Sequence, residues 1–196
     1  FGVESVLAGI EAAAAADLTP IKINSVVQRG VNDHTVVELA RHFKGSGHIL
    51  RFIEFMDVGT LNDWKMESVV PSSEIVDRID AEMALEPVRP SYPGEVATRY
   101  RYVDGSGEIG VISSVTQPFC GDCTRLRLSP EGELFTCLFG STGTDLRTPL
   151  RNGASDDELG KIVRAVWIKR VDRYSEQRTA LTKPRSGKVE MYHIGG

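Results

Sequence analysis

No apolar stretch of the 196-residue sequence approaches the roughly 18 residues of a membrane-spanning helix, which excludes a membrane span. The chain has no surplus of basic residues either, since 23 Lys and Arg stand against 27 Asp and Glu, a net charge of −4. A mildly acidic protein is not a general nucleic-acid binder, so an anionic ligand would require a local basic cluster. The first residues, Phe1-Gly2-Val3-Glu4, include neither a start methionine nor the basic region of a signal peptide. We therefore expect a protein that binds neither membranes nor nucleic acids.

Cysteine is scarce, with three residues in the chain. An odd count at this density argues against a secreted disulfide framework and favours a cytoplasmic protein with a metal or cluster site. Cys120 and Cys123 flank Gly121-Asp122, and Cys137 follows, which gives the spacing C-x2-C-x13-C. Two cysteines in a tight turn can direct both sulfurs at one centre, and a hairpin can return the third beside them. Thiolates favour zinc or iron–sulfur clusters.

The spacing alone leaves a structural zinc site and an iron–sulfur cluster equally open. A closed zinc site would need a fourth ligand, such as His193 or Asp122. Three thiolates would instead leave one iron of a cubane cluster open to a substrate. Arg125 and Arg127 favour the cluster, because they alternate directly after Cys123 and are predicted to point to one side of a strand. Paired guanidinium groups suit phosphate, so the stretch predicts an anion clamp beside a metal site.

The first part of the chain has the pattern of βα units. The periodicity predicts a helix from Val3 to Ala16, a strand over Ile21–Val27, a helix ending at Phe43 and a strand over His48–Phe55. This order favours parallel strands joined by crossover helices. Two parallel strands cannot bury both of their faces, so we expect the chain to be the C-terminal part of a longer protein.

After residue 70 the pattern changes to antiparallel hairpins. The turn residues predict two of them: Tyr100–Val103 with Ile109–Val115, and Leu126–Leu128 with Leu134–Cys137. Pro87, Pro90 and Pro93 predict an irregular connector before them. The fold class is therefore α/β: the C-terminal part of an incomplete TIM-like (β/α) barrel over residues 1–70, then an α+β cluster-binding region with antiparallel hairpins over 71–196.

Four separated motifs resemble the GTP 3′,8-cyclases of molybdenum-cofactor biosynthesis, a radical S-adenosylmethionine (SAM) family. They follow the family's order, and the resemblance covers essentially the whole chain. The motifs are Lys22-Ile23-Asn24 with Gly30-Val31-Asn32-Asp33; Arg51-Phe52-Ile53-Glu54-Phe55-Met56; Phe119-Cys120-x-x-Cys123-x-Arg125-Leu126-Arg127 with Cys137-Leu138-Phe139-Gly140; and Met191-x-x-Ile194-Gly195-Gly196.

The resemblance implies a role for each matching position. Cys120, Cys123 and Cys137 would hold a [4Fe–4S] cluster whose open iron meets the guanine of GTP. The other implied contacts are Lys22, Asn24, Arg51, Arg125, Leu126 and Arg127 with GTP; Met56 with SAM; and the tail residues Gly195 and Gly196 inside the active site, where only residues without side chains fit closely.

The strand parity agrees with most of these roles. Lys22 and Asn24 fall on one face of their strand, as residues lining a barrel lumen should. Arg51 and Met56 have opposite parity, so the strand is predicted to end or bulge before Met56. Glu54 is a candidate for the buried partner of a lumen arginine.

One departure from the family is large, because no C-x3-C-x2-C motif is present for the second cluster, which cleaves SAM. We therefore expect the chain to retain the substrate half of a lyase site and to be inactive alone. The resemblance implies conversion of GTP to (8S)-3′,8-cyclo-7,8-dihydroguanosine 5′-triphosphate, which passes to cyclic pyranopterin monophosphate synthase, and it leaves a homodimer open. An auxiliary-cluster domain of another radical-SAM enzyme and a zinc-binding interaction module remain alternatives.

Overall fold

The chain divides by packing into two compact units. The computed structural model describes residues 2–58, 63–178 and 189–194. The first unit consists of Phe1–Phe55 and Glu67–Gln117, and the second consists of Met56–Met66 and Pro118–Gly196. The packing boundary thus differs from a division at residue 70, because the strands that follow that position join the sheet of the first unit. As a functional division, residue 70 stays a prediction.

A five-stranded mixed sheet is the centre of the first unit. Its strands are β1 (Lys22–Val27), β2 (Ile49–Glu54), β3 (Leu85–Val88), β4 (Thr98–Tyr102) and β5 (Glu108–Ile112), in the spatial order β1-β2-β5-β4-β3. The pairs β1·β2 and β2·β5 are parallel, whereas β5·β4 and β4·β3 are antiparallel. The α/β class, the first parallel pair and the hairpin around residues 104–107 are therefore confirmed, while the barrel is not established.

The third strand lies where the sequence predicts an irregular connector. β3 contains Pro87, which pairs with Tyr100 of β4. Proline cannot donate a ladder hydrogen bond and is confined within sheets to edges, first residues or bulges. β3 is the edge strand of the described sheet, so its outer side needs no donor there. The prolines therefore correctly indicated that this segment is not a central strand. They did not indicate that it forms an edge strand.

Helices pack against one face of this sheet. They are α1 (Val3–Ala15), α2 (Val36–Phe43) and α3 (Ser72–Asp80), with short 3-10 turns at Asp33–Thr35 and Met66–Ser68. Ala40 and Phe43 of α2, and Ile75 and Ile79 of α3, share a buried apolar cluster with Leu50, Phe52, Ile109 and Val111 of β2 and β5. Burying these side chains is the main source of stability of this layer.

Alternation along β1 and β2 places polar residues on the other face of the sheet. Val27 is buried, whereas Lys22 and Asn24 are exposed, so they share one face as predicted. Arg51 is half-buried between the buried residues Leu50 and Phe52. β2 ends at Glu54, which places Met56 beyond the strand and confirms that expectation.

A small antiparallel sheet organises the second unit. It contains β6 (Arg127–Leu128), β7 (Glu133–Phe135) and β8 (Thr144–Asp145), and the helices are α4 (Arg147–Arg151), α5 (Asp156–Ile168) and α6 (Tyr174–Gln177), with a 3-10 turn at Met191–His193. The predicted β6–β7 hairpin is confirmed, and the Gly132 amide closes its turn on the Ser129 carbonyl at 2.9 Å. Gly132 has a φ of +84°, and a Cβ there would lie 2.8 Å from the Cβ of Arg147, so the turn requires glycine. No helix among the described residues is both long and apolar enough to cross a membrane.

Candidate functional site

The three cysteines lie on two segments of the second unit. The Cys123 amide donates to the Cys120 carbonyl at 3.4 Å, which closes the turn between them. Cys137 follows β7 at the end of the hairpin. All three are free and half-buried. Burial raises the pKa of the Cys137 thiol, and the nearby charges of Asp172 and Cys120 raise it further, so thiols from both segments lie within electrostatic range.

Arg125 contacts the sulfur of Cys123 directly. Its Nε and Nη2 donate to Sγ at 3.3 and 3.2 Å, and its guanidinium lies 5.0 Å from the centre of the Phe119 ring. Burial by itself raises the pKa of the Cys123 thiol, but hydrogen bonds from the backbone and side chain of Arg125 outweigh burial and lower that pKa. These hydrogen bonds therefore act in favour of the thiolate form of Cys123, which is the form that binds metal.

Arg127 is the second cation of this site. Burial and then the charge of Arg125 lower the pKa of the Arg127 guanidinium, while Cys123 and Cys137 act in the opposite direction. The two guanidinium groups are thus close enough to repel, and an anion bound between them would relieve the repulsion. β6 begins at Arg127, so the prediction that both arginines stand on a strand is wrong for Arg125.

The three cysteines offer the thiolate donors that an iron–sulfur cluster takes. Within the described residues, no three His, Cys, Asp or Glu side chains are grouped as ligands of one metal ion. His193, considered as a fourth zinc ligand, instead has its Nε2 3.0 Å from Oε2 of Glu131. A cubane cluster offers its irons at separate corners, so its thiolates stand further apart than the ligands of a single ion. Three free cysteines on two neighbouring segments suit that larger group.

Arg170 contacts both cysteine-bearing segments, and the sequence patterns did not single it out. Its guanidinium donates to the carbonyls of Cys120, Cys123 and Thr136. Those partners are 34 to 50 positions away in the sequence. No local pattern reports a contact at such a distance.

In the first unit, a cavity of about 310 Å³ lies against the polar face of the sheet. Its lining includes the cations Lys22, Arg51 and Arg99, together with Glu95. Arg99 is neutralised by Glu108, with Nη2 to Oε2 at 2.7 Å. Within the described part of the chain, neither Lys22 nor Arg51 has such a carboxylate partner, so both remain available to an anionic ligand.

The position of Arg51 depends on two neighbours in the same row of the sheet. Asn24 and Gly110 are its register partners on β1 and β5. A Cβ at Gly110 would lie 3.1 Å from Cγ of Arg51, closer than side chains normally approach. The glycine therefore leaves the space that the arginine side chain occupies.

Glu54 is fully buried, and the hypothesis that it pairs with a lumen arginine is wrong. Oε1 accepts a hydrogen bond from the Ser72 amide, and Oε2 accepts from the amides of Val115 and Thr116, each at 2.8 Å. The Thr116 hydroxyl adds a bond to Oε1. The carboxylate thus joins the end of β2 to the start of α3 and to the chain after β5.

The segment of Met56 is fixed within the second unit. The adjacent Asp57 receives Arg178 Nε at 2.8 Å and contacts Nη2 at 2.7 Å, and the Tyr174 hydroxyl also donates to it. Arg178 is buried among the rings of Trp64, Phe139 and Tyr174. Met56 itself is half-buried.

The described site residues form two groups, one in each unit. Cys120, Cys123, Cys137, Arg125, Leu126 and Arg127 belong to the second unit, and Lys22, Asn24 and Arg51 belong to the first. Gly195 and Gly196 lie outside the described residues, so their entry into the active site stays a prediction.

Comparison with known proteins identifies the family. Residues 48–176 match the family described as Molybdenum Cofactor Synthesis C. The chain is 49% identical to the GTP 3′,8-cyclase of Acidothermus cellulolyticus over 98% of its own length and 60% of that protein's. It is 52% identical to the GTP 3′,8-cyclase of Xanthomonas campestris pv. campestris (strain B100), over 99% of the chain and 56% of that relative. The chain thus spans somewhat more than half the length of these relatives. Because the family model matches more than half of the chain, the chain belongs to the Molybdenum Cofactor Synthesis C family.

Proposed function

We propose that this chain is the substrate-binding part of a GTP 3′,8-cyclase, a lyase that converts GTP to (8S)-3′,8-cyclo-7,8-dihydroguanosine 5′-triphosphate in molybdenum-cofactor biosynthesis. The observation that carries the proposal is the coincidence of 49–52% identity over nearly the whole chain with three free thiols beside two arginines. Its product would pass to cyclic pyranopterin monophosphate synthase. The chain spans 56–60% of its relatives and has no C-x3-C-x2-C motif, so the activity is proposed for the intact enzyme.

Cys120, Cys123 and Cys137 would hold a [4Fe–4S] cluster. When bound, this cluster offers one open iron to the guanine, and SAM at the family's second cluster supplies radical chemistry at the 3′ carbon of the ribose. The contribution of this chain is to present thiolates, and the bonds from Arg125 to Cys123 favour that form.

The cations would hold the triphosphate and thereby orient GTP. Arg125 and Arg127 can each bind phosphate through two parallel N–H bonds, and Leu126 between them would contact the same ligand. Lys22 and Arg51 offer further positive charge in the first-unit cavity, where Asn24 orients Arg51. Fixing the nucleotide in this way brings the ribose and C8 of guanine into a reactive arrangement without loss of entropy at the moment of reaction.

The remaining assignments extend this proposal. β1 and β2 would be late strands of an incomplete TIM-like barrel. Because β2 ends at Glu54, the backbone of Met56 is outside the sheet ladder and would contact SAM. The Gly195-Gly196 tail would enter the active site, and a homodimer remains open.

The test is to prepare the chain without oxygen and to measure metal, sulfide and the response to GTP. We expect about four irons and four sulfides per chain, the composition of one cubane cluster. GTP should change the electron paramagnetic resonance (EPR) spectrum of the reduced cluster, whereas Cys137→Ser should lose both the cluster and the response. Stoichiometric zinc without sulfide, or a cluster that does not respond to GTP, would contradict the proposal.

A further inference from the structure

Arg170 follows α5 and turns its side chain towards the cysteine-bearing segments. The side chain is 12% exposed. Nη1 donates to the Cys123 carbonyl at 2.9 Å, Nε to the Thr136 carbonyl at 3.2 Å, and Nη2 to the Cys120 carbonyl at 3.5 Å. One planar group thus contacts the backbone at, or directly before, each of the three cysteines.

These contacts hold the two segments together beyond the last register pair of the β6–β7 hairpin, Arg127 with Phe135. Cys120 and Cys123 belong to the turn before β6, whereas Thr136 precedes Cys137 at the end of β7. The guanidinium offers five N–H donors in a rigid fork, so three carbonyls bound to it have fixed positions relative to one another. A lysine could place one charge there but could not reproduce this geometry.

Arg170 is itself held on two sides. Its guanidinium lies 5.2 Å from the centre of the Trp167 ring. Nε lies 3.8 Å from Oδ2 of Asp172, and the same carboxylate oxygen accepts a hydrogen bond from the Thr136 hydroxyl. Asp172 therefore connects the arginine a second time to the residue before Cys137, and the fork has little freedom to turn.

We propose that Arg170 is a positioning residue for the cluster, setting the separation of the two cysteine-bearing segments. This rests on the proposed function, because it takes Cys120, Cys123 and Cys137 as ligands of one [4Fe–4S] group. A cluster with three protein ligands requires three sulfurs at defined corners. Without Arg170, the carbonyls of Cys120 and Cys123 could move relative to the carbonyl of Thr136. Groups that orient metal ligands change metal affinity by about 10- to 100-fold when they are removed.

The experiment compares the 196-residue chain with Arg170→Lys and Arg170→Gln after cluster assembly without oxygen. Arg164→Lys and Arg164→Gln are matched controls, since Arg164 is an exposed arginine of α5. Cluster affinity, measured by competition with an iron chelator, should fall about 10- to 100-fold in both Arg170 variants. The EPR spectrum of the reduced cluster should change as well, and the Arg164 variants should match the wild type.

A second measurement separates positioning from folding. The unfolding midpoint of the cluster-free chain should fall less in Arg170→Lys than in Arg170→Gln, because lysine keeps one donor, while both variants lose cluster affinity. Equal affinity and an unchanged spectrum in Arg170→Lys would overturn the positioning role and leave the proposed function intact. Loss of the native circular dichroism spectrum in the cluster-free Arg170→Lys chain would also overturn it, because it would show that Arg170 is needed for folding. A wild-type chain that assembles no iron and sulfide would overturn both proposals.

Discussion

Nε of Arg51 donates a 2.9 Å hydrogen bond to Oδ1 of Asn24, its register partner on the neighbouring parallel strand. The bond uses one donor of the guanidinium and leaves its charge intact, because the partner is a neutral amide. Within the described residues, the two terminal nitrogens of Arg51 make no hydrogen bond. Asn24 thus orients the arginine without neutralising it, as a site for an anion requires.

Asn24→Asp should weaken GTP binding by about tenfold, equivalent to about 1.4 kcal/mol. The new carboxylate would pair with Arg51 and repel the triphosphate. Titration of the cluster-loaded chain with GTP measures the affinity. Asn152→Asp, an exposed position after α4, makes the same change in net charge and should leave the affinity unchanged. Equal losses in the two variants would indicate a general charge effect and contradict the role of this position.

Gly110→Ala should destabilise the first unit by about 1–3 kcal/mol, the usual effect of overpacking. The added methyl would lie 3.1 Å from Cγ of Arg51 and 3.2 Å from Cβ of Ala97, on a central strand with little room to move. Gly9→Ala is the control, since nothing lies within 4 Å of a Cβ there and the helix should gain about 0.5–1 kcal/mol. Urea unfolding of both variants measures these changes in stability. An unchanged midpoint in Gly110→Ala would contradict the assigned contact.

Glu54→Gln should lower the free energy of unfolding by about 2–5 kcal/mol, because the amide nitrogen cannot accept from a backbone N–H. Each carboxylate oxygen accepts at least one backbone amide, so either orientation of the glutamine leaves a buried donor unpaired. Glu38→Gln, at an exposed position of α2, is the matched substitution and should change stability little. Similar urea midpoints for the two variants would show that the buried carboxylate is not required.

Asp104 should make stability depend on pH in acid. Hydrogen bonds from Lys44 and then from Ser106 lower the pKa of its carboxyl from an ordinary 3.8 to about 2. The folded chain therefore binds this proton less readily than the unfolded chain. The contribution is complete above about pH 4 and is lost as the pH falls to about 2. The urea midpoints of wild type and Asp104→Asn should differ at pH 6 and converge near pH 2, whereas Asp77→Asn, at an exposed position, should give no such convergence.

Local patterns predicted those parts of the fold whose partners are close in sequence. The turn residues predicted the β4–β5 hairpin across residues 103–107 and the β6–β7 hairpin across residues 129–132. Alternation also placed Lys22 and Asn24 on one face. In each case the decisive interaction spans only a few residues, and a single strand or turn determines it.

Distant partners could not be predicted in the same way. β5 lies beside β2 although more than fifty residues separate them, and no periodicity specifies that neighbour. Glu54 was recognised as buried, but burial gives no information about which donors satisfy it. Arg170 resembles any other arginine near a helix end, because its role consists of contacts with remote carbonyls. The candidate cluster ligands could be found because their spacing is local. Arg170 could not be found, because its partners are distant in the sequence.

The second unit includes the short segment Met56–Met66, which lies in sequence between the two pieces of the first unit. Cutting the chain at one peptide bond therefore cannot release the second unit complete without part of the first. A gene fragment that begins at Pro118 would encode all three cysteines and Arg178, but not Asp57, the carboxylate that Arg178 contacts. Removing one partner of a buried ion pair destabilises a protein by about 3–5 kcal/mol. The cysteine-bearing region therefore cannot be transferred between genes as one continuous piece. It also needs codons that lie upstream of the last three strands of the larger sheet.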